Sequence, residues 1–165
     1  NITMNVPIKY LPKNLKKKDK SKQIKQLKKS RKGYKKGIYI HRKKLNSYKS
    51  KKSKHLHNAE KIYNVNKIVV DDNLAKLTGC SKDALNHIIK KGQGAYYSSG
   101  SRPNQTAHSW GLARLASSIS GGKAAAVDYN ILEQGCSKTS KALQLAKQSR
   151  IKNNYGTRKV PKINI

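Results

Sequence analysis

Leu74-Ala75-Lys76-Leu77-Thr78-Gly79-Cys80-Ser81-Lys82-Asp83-Ala84-Leu85-Asn86-His87-Ile88-Ile89 is the stretch whose spacing sets the fold class. Asp71 or Asp72 can cap a short helix carrying Leu74, Ala75 and Leu77, since a carboxylate oxygen accepts from the unpaired amides of a first helical turn. Thr78-Gly79 interrupts that helix. Ser81 then caps a second one, in which Leu85, Ile88 and Ile89 recur at i, i+3 and i+4, and Gly92 is expected to end it. Apolar residues at helical rather than alternating spacing mark the region as α.

Towards the C-terminus the same periodicity continues. Residues 92–103, GQGAYYSSGSRP, hold three glycines and a proline and are expected to form a rigid loop, with Tyr96 and Tyr97 packed on neighbours. Asn104 or Thr106 starts a third helix with Trp110, Leu112, Ala113, Ala116 and Ile119 on its apolar side, stopped by Gly121-Gly122. A short helix over 124–133 turns Val127 and Ile131 inward and stops at Gly135. The last runs over 137–150 with Ala142, Leu143 and Ala146 inside.

Towards the N-terminus the composition changes. The chain has 165 residues with 38 Lys and Arg against 7 acids, a formal charge of +31. Residues 1–58 hold 21 of those cations and one acid, Asp19. Apolar residues there are sparse, too few on their own to offset the entropy of ordering the backbone. One helix over 15–30 is expected, capped by Asn14 and followed by Gly33 as a stop; Gly37–Ile40 is a short strand candidate. Ser53 can cap another helix through Tyr63. The organisation expected is mainly α: a basic, largely extended N-terminal arm (1–58), a small domain of about five short helices (59–150) and a basic tail (151–165).

Composition excludes several classes. No run of 18 apolar residues exists, so no membrane-spanning helix is expected. The first twenty residues lack the continuous apolar stretch of a secretory signal. Two cysteines are too few for a disulfide framework or a zinc finger; Cys80 and Cys136, each after a Gly and before a Ser, are expected to be buried reduced thiols, with a Cys80–Cys136 disulfide as the alternative. The acids Glu60, Asp71, Asp72, Asp83, Asp128 and Glu133 show no paired spacing for acid–base work, and His41, His55, His57, His87 and His108 are scattered. No enzymatic activity, cofactor, metal or small-molecule substrate is expected.

Three features point to function. The basic segment is the first: Lys16, Lys17, Lys18, Arg31, Lys35, Lys36, Arg42, Lys43, Lys44, Lys51 and Lys52 are candidate contacts to an anionic or protein partner, with Arg102 as a further donor beside the Gly-rich loop. Tyr10, Tyr34, Tyr39, Tyr48 and Tyr63 are interleaved, residues able to stack on bases or sit in protein grooves. The second is residues 74–89, which resemble the helix-turn-helix unit of DNA-binding repressors; Ser81, Lys82, Asp83, Asn86 and His87 would then face a major groove, although Asp83 opposes a phosphate backbone. Two short helices packed across a Gly turn would need the same residues.

The third is a longer pattern: Gly92-Gln-Gly94-Ala-Tyr-Tyr-Ser-Ser-Gly-Ser-Arg-Pro-Asn-Gln-Thr106, Ser109-Trp110, Ala113-Arg114-Leu115-Ala116-Ser117, and Gly121-Gly122-Lys123 through Val127-Asp128, with Arg42-Lys-Lys-Leu45 and Ser47-Tyr-Lys-Ser-Lys-Lys-Ser53 upstream. Over roughly residues 10–136 it resembles a family of small lysine-rich proteins of large nucleocytoplasmic DNA viruses of algae and protists. The resemblance implies a viral protein carried in the particle, and Asn1 then suggests a start lost by processing. On that basis the expected role is a minor capsid or internal virion component. It would sit on the inner side of the capsid after assembly in the host cytoplasm, docking by its helical domain and stapling neighbouring capsid proteins with its arm. Anionic membrane headgroups or viral DNA are further partners. The alternative is a DNA-binding virion or regulatory protein that uses residues 74–89 together with the arm.

Overall fold

The computed structural model describes residues 4–156 and 159–165. Among the described residues eight α-helices carry the fold, α1 (Lys17–Lys35), α2 (Lys54–Tyr63), α3 (Asp72–Thr78), α4 (Lys82–Ser98), α5 (Ala107–Ile119), α6 (Lys123–Val127), α7 (Tyr129–Gly135) and α8 (Lys141–Lys152), with two short strands, β1 (Asn5–Pro7) and β2 (Lys162–Asn164). The chain forms two compact units. The first gathers Asn1–Lys51, Gln93–Trp110 and Lys159–Ile165; the second comprises Lys52–Gly92 and Gly111–Arg158.

In the first unit the basic segment is folded, which corrects the expectation of a long extended arm. β1 pairs antiparallel with β2, Val6 opposite Ile163. Val6, Tyr10, Leu11 and Leu27 are buried together, with Met4, Ile24, Trp110 and Ile165 packed around them. The segment's own apolar residues are indeed few, but Trp110 and Ile165 come from distant parts of the chain and complete the cluster. Polar groups do the rest. The Gln23 side-chain amide donates to the Tyr10 carbonyl at 3.0 Å, and the Ser30 hydroxyl donates to the Tyr97 carbonyl at 3.2 Å. α1 begins at Lys17, without a side-chain cap from Asn14, and runs through Gly33 to Lys35. Gly37, at φ +76°, ends it: its amide donates to the Tyr34 carbonyl and the Ile38 amide to the Gly33 carbonyl, the left-handed terminus that only glycine takes without strain. Gly37–Ile40 is not a strand; the chain turns back here.

The second unit is a helical bundle around Leu85, Ile88, Leu115, Ile119 and Leu132. The Asp71 and Ser53 caps are as expected, accepting from the amides of Leu74 and His55. Ser81 accepts from the Ala84 amide at 3.1 Å and caps α4. α4 does not stop at Gly92 but continues to Ser98, so the expected loop is helical over its first half. A Cβ at Gly92 would lie 2.7 Å from the Gly111 Cα, so two bare glycines allow α4 and α5 to touch and offset the low helix propensity of glycine. The expected 124–133 helix is split in two at Asp128, and Val127, expected inside, is 51% exposed. α8 starts from Ser140 rather than Ser137.

The two Gly-Cys-Ser runs meet. Cys80 and Cys136 form an antiparallel bridge, with the Ser81 amide donating to the Gly135 carbonyl and the Ser137 amide to the Gly79 carbonyl, each at 2.8 Å. A disulfide joins them, which corrects the expectation of free thiols. The arrangement repeats helix, Gly-Cys-Ser, helix twice, α3 to α4 and α7 to α8. A Cβ on Gly79 would lie 2.7 Å from the Ser140 Cβ, and one on Gly135 would lie 2.3 Å from the Ala84 Cβ. Each glycine therefore makes room for the residue three places beyond the serine of the other half.

Candidate polyanion-binding surface

The first unit holds 22 Lys and Arg and a single acid, Asp19. That carboxylate is occupied. It accepts from both the backbone amide and the hydroxyl of Ser47, and these hydrogen bonds hold its pKa below the usual carboxylate range, helped by Lys22 and Lys18. The unit thus has almost no internal counter-charge.

Its arginines and lysines are placed differently. Arg42 lies against the interior: its guanidinium donates to the Ser30 hydroxyl (2.7 Å), the Tyr96 carbonyl (2.8 Å) and the Ser101 hydroxyl (2.9 Å), and stacks on the Tyr96 ring at 3.8 Å. Burial lowers its pKa while leaving it a cation, and the planar fork serves three acceptors at once in a way an ammonium does not. Arg31 donates to the carbonyls of Ser99 and Asn5, both at 3.1 Å. These two arginines knit Asn5, α1 and the 96–101 segment together.

The lysines point outward. α1 buries only the Gln23, Leu27, Ser30 and Gly33 stripe. Lys18, Lys22, Lys25, Lys29, Lys32 and Lys36 follow one another at steps of three or four, all exposed, making a row roughly 27 Å long at 1.5 Å per residue. Lys17 and Lys35 flank it. Lys16 precedes the helix and gives its amide to the Ser47 hydroxyl. Lys43, Lys44 and Lys51 are exposed in the following segment, and Arg102 is exposed beyond α4. Lys52 belongs to the second unit, paired with Glu60 at 2.7 Å.

Of the interleaved tyrosines, Tyr10 and Tyr63 are buried, and burial raises the pKa of both phenols. The Tyr63 hydroxyl donates to the Ile119 carbonyl. Tyr34 and Tyr39 are exposed and stand together, with Tyr97 beside them. Sequence spacing hid this grouping, because the Gly37 turn brings Tyr39 back towards Tyr34 and Tyr97 comes from α4.

The residues set at the start of α4 are also exposed: Ser81, Lys82, Asp83, Asn86 and His87 lie on the outward side, opposite buried Ala84, Leu85, Ile88 and Ile89. Two of them have local roles, Ser81 as the cap and Lys82 paired with Asp72 at 2.7 Å.

Residues 7–134 match the family of unknown function DUF5824. The chain belongs to that family. No curated protein and no solved structure matches it. The matched span takes in α1, Arg42 and the exposed tyrosines and ends short of Cys136. Among the described residues no helix is long and apolar enough to cross a membrane, and no three His, Cys, Asp or Glu side chains are grouped to hold a metal.

Proposed function

We propose that the chain is a non-catalytic structural protein of a virus particle that docks on a polyanion through its first unit. The observation that carries this is a folded unit with 22 cations, one acid already bound to Ser47, and a row of exposed lysines along α1. Like charge so concentrated lowers the stability of the folded unit by self-repulsion, and an external anion relieves that cost. The role is that of a minor capsid or internal virion component on the inner side of the shell, with capsid proteins, headgroups of an internal membrane or viral DNA as its neighbours. A prefolded unit replaces the flexible staple as the gripping device, and its contacts are made without ordering the whole segment on binding.

A second reading, DNA binding through α3 and α4, is favoured by the shared exposure of Ser81, Lys82, Asn86 and His87 on one side of α4.

Duplex DNA titrated across salt concentrations tests the docking reading. If the α1 row meets about six phosphates, log K falls against log salt with a slope of about −5. Lys25→Gln, Lys29→Gln and Lys32→Gln together should flatten that slope by about 3. Binding that ignores salt, or an unchanged slope in the triple variant, contradicts the role given to α1. Absence of the chain from purified particles contradicts the virion role. Loss of sequence preference on Asn86→Ala or His87→Ala, with the slope kept, would favour the second reading.

A further inference from the structure

The tyrosines grouped around the Gly37 turn form a surface that a row of phosphates alone does not require. Tyr39 is 63% exposed and Tyr34 39% exposed, their ring centroids 5.9 Å apart; Tyr39 lies 5.2 Å from Tyr97, and His41 stands edge-on to Tyr97 at 5.7 Å. A contiguous group of partly exposed aromatic faces marks an interaction site.

The ledge is supported from beneath. Tyr97 stands edge-on to buried Tyr96, whose ring carries the Arg42 guanidinium. The Tyr97 carbonyl is fixed by the Ser30 hydroxyl, and the Tyr96 hydroxyl accepts from the Arg42 amide at 3.1 Å. The left-handed turn at Gly37 sets where Tyr39 falls. The rings are thus positioned before any ligand arrives.

The surroundings are cationic. Lys35 and Lys36 follow Tyr34 in the chain, Lys43 follows Arg42, and the whole unit holds 22 cations. The unit's one acid, Asp19, is about 24 Å away along α1. An occupant must offer flat faces to the rings and repeated negative charge to the lysines. A single-stranded polynucleotide offers both, because its bases are free to stack. A duplex keeps its base faces covered and meets only the lysines, and an acidic peptide lacks the faces.

We infer that the Tyr34–Tyr39–Tyr97 ledge, with His41 at its edge and set in the cationic first unit, is a binding site for unpaired nucleobases of single-stranded DNA or RNA. This site rests on the polyanion reading for its cations and goes beyond it in reading bases. Every base has a π-face, so binding there is tolerant of sequence.

The test uses the full chain, three nucleic-acid probes (an oligothymidine of about twelve nucleotides, an abasic strand of equal length and a duplex of equal length) and phosphatidylserine vesicles. Oligothymidine should bind about tenfold more tightly than the abasic strand at the same salt. Tyr39→Ala should remove that difference and leave duplex affinity within about twofold, whereas Tyr39→Trp should keep it. Tyr39 is largely exposed, so its replacement leaves the core untouched. Equal affinity for oligothymidine and the abasic strand overturns the base site while leaving the lysine row in place. Failure of all three nucleic-acid probes to bind overturns the base site and the phosphate contacts given to α1. Tyr39-dependent binding of phosphatidylserine vesicles, without preference for oligothymidine over the abasic strand, assigns the ledge to a membrane surface and overturns the proposal.

Discussion

Arg114→Met should destabilise the second unit by about 3–5 kcal/mol, read from the urea midpoint by circular dichroism. The Asp128 side chain has no exposure, and its carboxylate accepts from Arg114 Nε at 2.9 Å, from Arg114 Nη2 at 2.6 Å and from the Ser118 hydroxyl at 2.9 Å. Removing the guanidinium leaves a buried anion held by one neutral hydroxyl. The penalty comes from that stranded charge more than from loss of a favourable pair. Arg114→Met combined with Asp128→Leu should therefore recover most of the lost stability, since an apolar pair of similar volume has no charge to desolvate. A single-variant loss below about 1 kcal/mol would contradict the placement of Asp128 at the break between α6 and α7.

Loss of the Cys80–Cys136 bond is the second large effect. The bond closes a loop of 56 residues, and the loop-closure relation gives about 4 kcal/mol for that length. Cys80→Ser with Cys136→Ser, or treatment with a reductant, should lower the unfolding free energy by an amount of that order, seen as a fall in the thermal midpoint. The double variant should no longer respond to reductant. Two alkylatable thiols in protein prepared without reductant would contradict the pairing. The glycines flanking the cysteines give an independent check: Gly135→Val should be damaging even in the reduced chain, because Ala84 already fills the space where its Cβ would go.

Local signals were legible and distant ones were not. The caps at Ser53, Asp71 and Ser81, and the i, i+3, i+4 run of Leu85, Ile88 and Ile89, mark helices by chemistry within a turn or two. Gly92 misled for the opposite reason. Its penalty in a helix is local, whereas its justification is contact with Gly111, nearly twenty positions on. The basic segment misled in the same way. Counting its own apolar residues suggested an unfolded arm, yet Trp110 and Ile165 supply part of its core, and Arg42 supplies three hydrogen bonds to groups that no local pattern links to it. The pairing of Gly79-Cys80-Ser81 with Gly135-Cys136-Ser137 depends on a repeat whose meaning appears only when the two halves face each other. In the candidate site, the lysine row was readable as charge. The tyrosine ledge was not, since Tyr39 reaches Tyr34 through the turn at Gly37 and Tyr97 through folding.

The central claim is that the lysine-rich leader is folded before it meets any partner, arginines inside and lysines out. Native-state hydrogen exchange on the free chain, followed amide by amide across α1, tests it most directly. The amides of Leu27 through Arg31 should be protected as part of one cooperative unit in the absence of nucleic acid, and Arg42→Ala should lower that protection together with that of Tyr97. Exchange of those amides at the rate of an unstructured peptide, with protection appearing only when a polyanion is added, would contradict it.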